Sequence, residues 1–309
     1  MKKKTSELYK ELNITNTFYS RFMKRFIDFF ISLVGILVLS PIYIIVALLT
    51  LIFNGWPIFY KQARPGKNRK IFYIYKFRSM NNKKDENGNL LPDEQRITKF
   101  GKFIRKTSID ELPQLFNILR GDMSIVGPRP RLIKDMMFYD EEVMKFYVIR
   151  PGLTGPTQTT GRNANTWEQV FEKDIAYTHK ITFWGDVKIF VKTFTSVFSS
   201  TGETHTNAEE DKTAPKVKDQ EYYYADYIKR IGKISEEQYQ HGLKLSKEIV
   251  ETKEQINFHP ELHDQELFDK MMGKTTEEKT EKKPKEKVDA ETKKEKTDTK
   301  ATKKSKNKN

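Results

Sequence analysis

Residues 29–53 read FFISLVGILVLSPIYIIVALLTLIF, a continuous apolar stretch without a charged side chain. As one straight helix it would measure roughly 37 Å, more than the roughly 30 Å hydrocarbon core of a bilayer. Pro41 stands near its middle, where a proline removes a backbone hydrogen bond and clashes with the preceding turn. Ser40 beside it can bond a freed carbonyl, which makes a break tolerable in lipid. The stretch therefore predicts a membrane segment that is broken at Ser40-Pro41.

The residues that flank this segment favour entry and exit on the same face of the membrane. Basic side chains stand on both sides of it: Lys24 and Arg25 before, and Lys61, Arg64, Lys67, Arg69 and Lys70 after. Because cytoplasmic flanks are enriched in Lys and Arg, two basic flanks are most simply placed together in the cytoplasm. A single crossing stays open on these residues alone, since spanning helices also carry prolines. Phe22, Phe26 and Phe29 predict an interfacial helix that runs into the apolar one.

The chain is strongly basic, and half of the excess charge lies at its C-terminal end. Its 309 residues carry a net charge of +14, and residues 270–309 hold 15 lysines against 8 acidic residues, a net charge of +7. That tail has no aromatic residue, so it is predicted to be disordered, with solubilisation or contact with anions as its role. Zinc-finger spacing and other nucleic-acid modules are missing, so no nucleic-acid partner is expected and membrane lipid explains the charge better. The absence of cysteine excludes a disulfide framework.

Residues 107–130, TSIDELPQLFNILRGDMSIVGPRP, place the acids Asp110 and Glu111 at the predicted start of a short helix. This pair has a purely structural interpretation, because Asp is a good N-cap and Glu suits the macrodipole of the first turn. Pro113 agrees with it, since the third helical residue needs no intrahelical amide bond. Neighbouring cations favour a chemical role instead. Four basic residues near turns are suited to holding phosphate oxygens: Lys76, Arg78, Arg129 and Arg131.

Three blocks of sequence and the Ser40-Pro41 break together resemble a known family. The blocks are KFRSM (76–80), residues 107–130 and RPGLTG (150–155). In this order they are similar to the bacterial sugar transferases that act on polyprenyl phosphate, the monotopic phosphoglycosyl transferases. The resemblance covers residues 21–203, and the chain resembles the small single-module members, without the four-helix membrane domain of larger ones. It implies an α+β, mostly helical fold, a re-entrant anchor and a cytoplasmic catalytic domain on the bacterial plasma membrane.

The resemblance also implies a reaction. Asp110 falls on the family's nucleophile, which would attack the sugar-bearing phosphate of a UDP-sugar, release UMP and form a phosphosugar–aspartate intermediate. Undecaprenyl phosphate would then take the phosphosugar, which initiates assembly of a surface glycan. Asp110 is expected to bind Mg²⁺ as well, and Glu111 is expected to act as a base or as a second ligand of this ion. Lys76 and Arg129 fall on phosphate or carrier contacts of the family, and Arg78 and Arg131 belong to the same two blocks.

The loop at residues 150–163, RPGLTGPTQTTGRN, is expected to touch the nucleotide or the sugar. Its candidate contacts are Arg150, Gln158, Arg162 and Asn163. The loop departs from the family at Pro156 and Thr157, where members usually carry a bulky apolar residue or Trp. The identity of the sugar therefore stays open.

The pattern of hydrophobic and turn residues divides the chain into five segments. They are a polar lead-in (1–20), the interfacial and re-entrant helix (21–60), the catalytic domain (61–202), a helical extension (203–269) and the lysine-rich tail (270–309). Within them we expect a strand at 71–77, a helix at 112–119 ended by Gly121, a helix at 136–147, an irregular loop at 150–163, and helical structure at 167–200 with a turn at 184–185. A capping-box pattern at residues 235–238 predicts a helix to about residue 255.

The extension allows different roles. It is expected to pack on the catalytic domain, or to dock a downstream glycosyltransferase, a regulator or the membrane. An alternative hypothesis makes the whole chain a catalytically inactive membrane scaffold that acts through this extension. The intact Asp110, Glu111, Lys76 and Arg129 count against the scaffold.

Overall fold

The computed structural model describes residue 14 and residues 17–159, 166–199 and 223–274. The predicted lysine-rich tail from residue 275, most of the lead-in, and the loop residues Arg162 and Asn163 lie outside the described residues. By internal contacts the chain divides into two compact units, Met1–Gln265 and Glu266–Asn309.

The apolar segment folds as two helices joined by a bend. A π-helical turn, Tyr19–Met23, leads into α1 (Lys24–Val38), and α2 (Ser40–Asn54) follows after one residue. Within the described part of the chain, no single helix is long and apolar enough to cross a membrane. Taken together, the two helices meet that requirement, but they are bent by 63° at their junction. The predicted break at Ser40-Pro41 is therefore confirmed.

The local cause of the bend lies in the backbone around Ser40. The proline at the second position of α2 has no amide to give to the preceding turn, so a carbonyl near the end of α1 loses its helical donor. The Ser40 hydroxyl donates to the Leu37 carbonyl at 2.8 Å and satisfies this acceptor. The predicted compensation by Ser40 is confirmed as well.

The remaining elements are short strands and helices. In chain order they are β1 (Phe59–Pro65), β2 (Ile71–Phe77), α3 (Asp93–Arg96), α4 (Lys99–Lys106), α5 (Gln114–Arg120), β3 (Ser124–Val126), α6 (Ile133–Met136), α7 (Glu141–Lys145), β4 (Gly152–Thr154), α8 (Trp167–His179), α9 (Phe183–Ser199), α10 (Tyr224–Arg230), α11 (Glu236–Thr252) and α12 (Gln265–Met271). Short 3₁₀ turns lie at Lys67–Arg69, Ile109–Glu111, Pro156–Gln158 and Pro260–Leu262. The predicted α+β, mostly helical fold is confirmed.

The strands form two pairs, and each pair carries one of the sequence blocks that contain the predicted phosphate contacts. β1 and β2 are antiparallel, with Phe59 opposite Phe77 and Pro65 opposite Ile71, so Lys76 lies near the open end of the hairpin. β3 and β4 are parallel, with Ser124 beside Gly152. β3 is followed directly by Gly127 and then by the Pro-Arg-Pro that contains Arg129. The β3–β4 pair therefore fixes the position of the backbone that leads to Arg129.

A buried cluster joins these pairs to α1, α5 and α8. Its members are Ile14, Phe72, Ile74, Leu115, Ile118, Met123, Ile125, Val126, Val148, Ile149, Tyr177 and Ile181. Buried acids attach α1 to this cluster: Asp28 accepts from the Ile125 amide at 3.0 Å. Asp186 on α9 accepts from the Tyr19 hydroxyl at 2.6 Å and from Lys24 at 2.5 Å. Hydrogen-bonded, buried polar groups therefore fix α1 to the rest of this core.

Some predicted elements are confirmed and others are wrong. The strand at 71–77 is confirmed, and Gly121 ends α5 with a φ of 93°, which glycine adopts freely. The single helix at 136–147 is wrong: the chain forms α6 and α7, because Asp140 has extended ψ (151°) between them. The turn predicted at 184–185 is also wrong. It lies at residues 180–182, and Gly185 is in the first turn of α9, where its amide donates to Thr182.

Two further regions refine the sequence pattern. The loop at 150–163, expected to be irregular, contains β4 and a 3₁₀ turn, because Gly152 can approach the neighbouring backbone closely. The capping box is confirmed: Ser235 accepts from the Gln238 amide at 3.2 Å, and Gln238 accepts from the Ser235 amide at 2.8 Å. The helix it opens, α11, ends at Thr252, short of the predicted position.

Candidate active site

The acidic pair lies in a tight 3₁₀ turn rather than at the start of the following helix. Ser108 precedes the turn in a left-handed conformation (φ 56°), and Ile109–Glu111 form it. The N-cap of α5 is Pro113, which has no side chain able to bond an amide. The interpretation of Asp110 as the cap of this helix is therefore wrong. Asp110 is buried, with 7% of its surface exposed.

Glu111 lies between two cations that come from separate blocks of the sequence. Its Oε1 atom is 2.7 Å from Nζ of Lys76, near the end of β2, and 3.5 Å from Nη2 of Arg129, in the turn after β3. All three side chains are partly buried, so their charges are screened less than those of exposed pairs. The structure thus brings together the acidic pair and two of the predicted phosphate contacts.

A buried amide holds this turn against β2. Asn117 on α5 is fully buried; its Nδ2 donates to the Tyr73 carbonyl at 2.8 Å and its Oδ1 accepts from the Tyr75 amide at 3.2 Å. The side chain therefore pairs with the free edge of β2 as a neighbouring strand would. Since α5 follows the acidic pair directly, this contact fixes Glu111 beside Lys76.

The second of the two bent helices, α2, also contacts the acidic turn. The Tyr43 hydroxyl on α2 donates to the Leu112 carbonyl at 2.5 Å, one residue after Glu111. Its ring packs against Phe77 and Phe116 at centroid distances of 5.8 Å and 5.7 Å. The bend thus brings the first turn of α2 onto the site, which a straight helix would not do.

Arg129 is placed by close backbone contacts of the Gly-Pro-Arg-Pro turn. The Gly127 amide donates to the Thr154 carbonyl at 2.9 Å, and the Gly152 amide donates to the Pro128 carbonyl at 2.9 Å. A Cβ atom on Gly127 would lie 2.6 Å from the Arg150 carbonyl oxygen, so glycine is required there. The turn is therefore an extension of the β3–β4 pair.

Arg78 lies at the end of α2 and not beside Glu111. It is buried and donates from Nη1 to the Trp56 carbonyl at 2.6 Å. Asn54 reaches its backbone, donating to the Arg78 carbonyl at 2.6 Å, and accepts from the Thr98 hydroxyl at 2.7 Å. Burial lowers the pKa of Arg78, and Arg96 adds to this through repulsion. These contacts join α2 to β2; its phosphate contact stays a prediction.

Arg131 also lies apart from Glu111, in a cluster of buried polar groups. Its guanidinium lies over the ring of Trp167 at 5.3 Å. Burial raises the pKa of Asp174, on α8, to about 7, although Arg131 opposes part of the shift. Burial also raises the pKa of Tyr139. Arg131 thus supports the fold behind the Gly-Pro-Arg-Pro turn, and its contact with substrate stays a prediction.

The predicted nucleotide contacts occupy different places. Arg150 donates from Nε to the Gly121 carbonyl at 2.7 Å, at the C-terminal end of α5, where Arg25 binds the Ile118 carbonyl at 2.5 Å. Such cations suit the negative end of a helix dipole. Gln158 lies in a 3₁₀ turn, and its buried Oε1 has no hydrogen-bond partner among the residues that the structure describes. Their roles as nucleotide contacts stay predictions.

The carboxylates fit a magnesium ion that also takes substrate oxygens. Among the residues that the structure describes, no group of three His, Asp or Glu could hold a metal alone. Mg²⁺ is usually held by one or two carboxylates, with waters and phosphate oxygens completing the octahedron. The adjacent Asp110 and Glu111 supply such a partial set.

Sequence patterns missed several residues that build this site. Asn117, Tyr43 and Asn54 act through backbone carbonyls and amides of distant segments. The signal that could have indicated two of them is polarity within an apolar pattern: Tyr43 and Asn54 stand in the apolar helix region.

The sequence over this whole region matches one family. A model of the bacterial sugar transferase family matches residues 19–200, more than half of the chain. The chain belongs to this family. It is therefore a sugar transferase, and the predicted enzyme class is confirmed.

Individual relatives are similar to about half of the transferase. The sugar transferase EpsL of Bacillus subtilis is 50% identical over 153 residues, which are 50% of this chain and 76% of that protein. The undecaprenyl-phosphate galactose phosphotransferase of Salmonella typhimurium is 38% identical over 191 residues, 56% of this chain and 40% of that protein. The UDP-glucose:undecaprenyl-phosphate glucose-1-phosphate transferase of Xanthomonas campestris is 34% identical over 178 residues, 54% and 37% of the two chains. The transferase thus spans less than half the length of the last two.

Proposed function

We propose that this transferase moves a phosphosugar from a UDP-sugar to undecaprenyl phosphate and so initiates assembly of a surface glycan such as a capsule, an exopolysaccharide or the glycan of a glycoprotein. The observation that carries the proposal is Glu111 held between Lys76 and Arg129, directly beside Asp110. A carboxylate nucleophile next to two cations suits attack on a diphosphate, whose negative charge would otherwise repel it. The names of the relatives from Salmonella and Xanthomonas support this donor and acceptor.

The first half of the proposed reaction forms a covalent intermediate on Asp110. One oxygen of its carboxylate bonds to the sugar-bearing phosphorus, while the bond from that phosphorus to the bridging oxygen breaks. UMP leaves with this oxygen and its electron pair. Lys76 and Arg129 neutralise the negative charge that develops on the phosphate oxygens. Preorganised cations are suited to this task.

The second half regenerates the enzyme. An oxygen of undecaprenyl phosphate bonds to the same phosphorus, and the bond to Asp110 breaks, which frees the carboxylate. The products are UMP and undecaprenyl diphosphate-sugar. Asp110 and Glu111 would hold Mg²⁺, which when bound supplies further charge neutralisation at the diphosphate. Glu111 acts either there or as a base.

The proposal places the site on the cytoplasmic face of the bacterial plasma membrane, with α1 and α2 as a re-entrant anchor. The 63° bend, the basic flanks and the large exposed side chains of both helices support this. Among the most exposed are Leu37, Val38, Ile44 and Ile52, each with 63% or more of its surface accessible. Lipid is the natural cover for such a surface.

The test is UMP release by the purified full-length protein with Mg²⁺, undecaprenyl phosphate and a panel of UDP-sugars. We expect release with one of the sugars and its loss in Asp110→Asn. The matched control is Asp93→Asn, which removes a carboxylate that is 66% exposed and should keep wild-type release. Release that persists in Asp110→Asn would refute the covalent mechanism. If folded, membrane-bound protein releases no UMP with any sugar, the scaffold hypothesis replaces the proposal.

Topology is tested separately in cells. Cysteines introduced one at a time before residue 24 and after residue 60 should react with a membrane-impermeant thiol reagent only after the plasma membrane is opened. Labelling of either position in intact cells would exclude the re-entrant anchor.

A further inference from the structure

The family match ends at residue 200, but residues 223–262 share a buried cluster with the matched part. We call these residues the brace. From the matched part the cluster takes Ile133, Met136, Met137, Phe138, Tyr139, Met144, Trp167 and Val170. From the brace it takes Tyr224, Ala225, Ile228, Ile234, Ile249, Ile256 and Leu262. The brace is therefore part of the core of the molecule.

The fit between the two parts is close. The ring of Tyr224 meets Tyr139 and Trp167 edge-on, at centroid distances of 5.3 Å and 5.4 Å. Gly242 on α11 faces the ring of Phe138, and a Cβ atom there would lie 2.4 Å from Cζ of that ring. Phe138 is 1% exposed, so the ring has no free space to move into.

Polar contacts tie the brace to the residues that follow the Gly-Pro-Arg-Pro turn. Lys134 in α6 forms an ion pair with Asp226 at 3.1 Å, and the Tyr239 hydroxyl also donates to Asp226. The Ala225 amide donates to Asp135 at 3.3 Å. Since α6 begins four residues after Arg129, these contacts hold the far end of the segment that carries it.

A second set of contacts holds the hairpin that carries Lys76. Gln255 donates to the Asn68 carbonyl at 2.8 Å, and the Ile256 amide donates to the Arg69 carbonyl at 3.2 Å. Asn68 and Arg69 have φ values of 56° and 61°, in the left-handed region that residues other than glycine rarely adopt. The brace therefore stabilises a strained turn at the closed end of β1 and β2.

The brace thus contacts both segments that supply a cation to Glu111. It reaches the segment of Arg129 through α6 and the segment of Lys76 through the hairpin turn. We propose that it is a positioning element of the active site: it fixes the separation of Lys76 and Arg129 around the acidic pair. This inference rests on the proposed function, because the effect of the brace is measured as a change in kcat for UMP release. It assigns the brace an internal role, and recruitment of a partner is not needed to explain it.

The test uses full-length protein with Gly242→Ala, which forces α11 away from Phe138 at a distance from the acidic pair. We expect kcat for UMP release to fall by about ten- to a hundredfold, as for a displacement of up to about 1 Å, with KM for the UDP-sugar changed less than about twofold. The matched control is Lys244→Ala on the same helix, whose side chain is 76% exposed and which should retain wild-type kcat.

A double-mutant cycle separates positioning from general loss of stability. Gly242 packs on Phe138, just after α6, so its substitution acts on the Arg129 side of the site and not on the hairpin turn held by Gln255. In an Arg129→Ala background that cation is already gone, so Gly242→Ala should reduce kcat by less than about twofold more. An equal proportional loss in both backgrounds, or wild-type kcat in Gly242→Ala, would overturn the proposal. If Gly242→Ala does not fold, Asp226→Asn takes its place in the same cycle, with Asp226→Glu as the rescue. Wild-type protein without UMP release would refute the proposed function and the brace proposal together, whereas active wild type with an additive cycle would refute only the latter.

Discussion

Asn117→Asp is the substitution that tests most directly how the acidic turn is held in place. The two side chains have the same shape, so no cavity forms, but an ionised Asp cannot donate to the Tyr73 carbonyl that lies 2.8 Å from Nδ2. That atom also lies 3.4 Å from Oδ2 of Asp122, which would then face a second carboxylate. The substitution therefore removes a hydrogen-bond donor and adds repulsion from the Asp122 carboxylate at position 117, which is fully buried.

The magnitude follows from these contacts. Leaving a buried carbonyl without its donor costs about 1–3 kcal/mol of unfolding free energy. Ionising the new carboxylate costs more, about 1.4 kcal/mol for each unit by which burial raises its pKa above the ordinary value of about 3.9. Because the folded pKa is raised, stability is present at low pH and is lost as pH rises through the folded pKa. We expect a loss of about 2 kcal/mol at pH 5 and about 3–6 kcal/mol at pH 8.

The assay is thermal unfolding of the full-length protein in detergent at the two pH values. With about 2–4 °C of Tm for each kcal/mol, Asn117→Asp should unfold about 5 °C below wild type at pH 5 and about 10 °C or more below it at pH 8. The control Asn87→Asp changes an exposed loop residue and should shift Tm by little at either pH. A Tm equal to wild type at both values, or the same loss at both, would refute the account of Asn117.

Other substitutions test separate contacts of the molecule. Lys76→Gln should lower kcat/KM for UMP release by about a hundredfold or more with little loss of Tm, since it removes a charge aimed at phosphate; unchanged kinetics would exclude it from the site. Tyr43→Phe removes the hydrogen bond to the Leu112 carbonyl, so it should lower the unfolding free energy by about 1 kcal/mol, seen as a lower Tm, and lower kcat a few-fold. A wild-type Tm together with a wild-type kcat would mean that α2 does not support the turn. Because burial raises the pKa of Asp174 to about 7, its ionisation destabilises wild type as pH rises from about 4 to 7. The Tm of Asp174→Asn minus that of wild type should therefore be more positive at pH 8 than at pH 5. The same Tm difference at both pH values would contradict this pKa.

The interpretation of the acidic pair shows where sequence reasoning reached its limit. Asp at a predicted helix start is typical of a cap, and Pro113 three residues later agrees with that interpretation. In the structure Pro113 itself occupies the N-cap position, and a left-handed Ser108 turns the chain so that the pair forms its own 3₁₀ turn. Backbone conformation at one serine decided this, and no local pattern encodes it, because serine rarely adopts a positive φ.

The phosphate candidates separate for a similar reason. Lys76 and Arg78 are two apart in a sequence block, yet only Lys76 reaches Glu111 among the contacts described, while Arg78 joins the end of α2. Arg129 and Arg131 divide in the same way, the second lying over Trp167. Residues two apart in a regular strand point to the same face, but Arg78 lies beyond the end of β2 and Arg131 beyond the turn that carries Arg129. What each side chain meets there depends on distant segments.

What the sequence determined by itself is the set of local features: the break at Ser40-Pro41, the strand at 71–77, the glycine end of α5 and the capping box of α11. Each depends on residues close together in the chain. The causes are the missing amide of proline, the composition of the strand, and short-range hydrogen bonds at the ends of helices. The family blocks likewise identified the transferase before any contact was known. Only the tertiary structure decided which cations face Glu111, that Asn117 pairs with β2, and that residues 223–262 complete the core. Those outcomes depend on the packing of segments far apart in the chain, and packing selects among side chains that look equivalent in sequence.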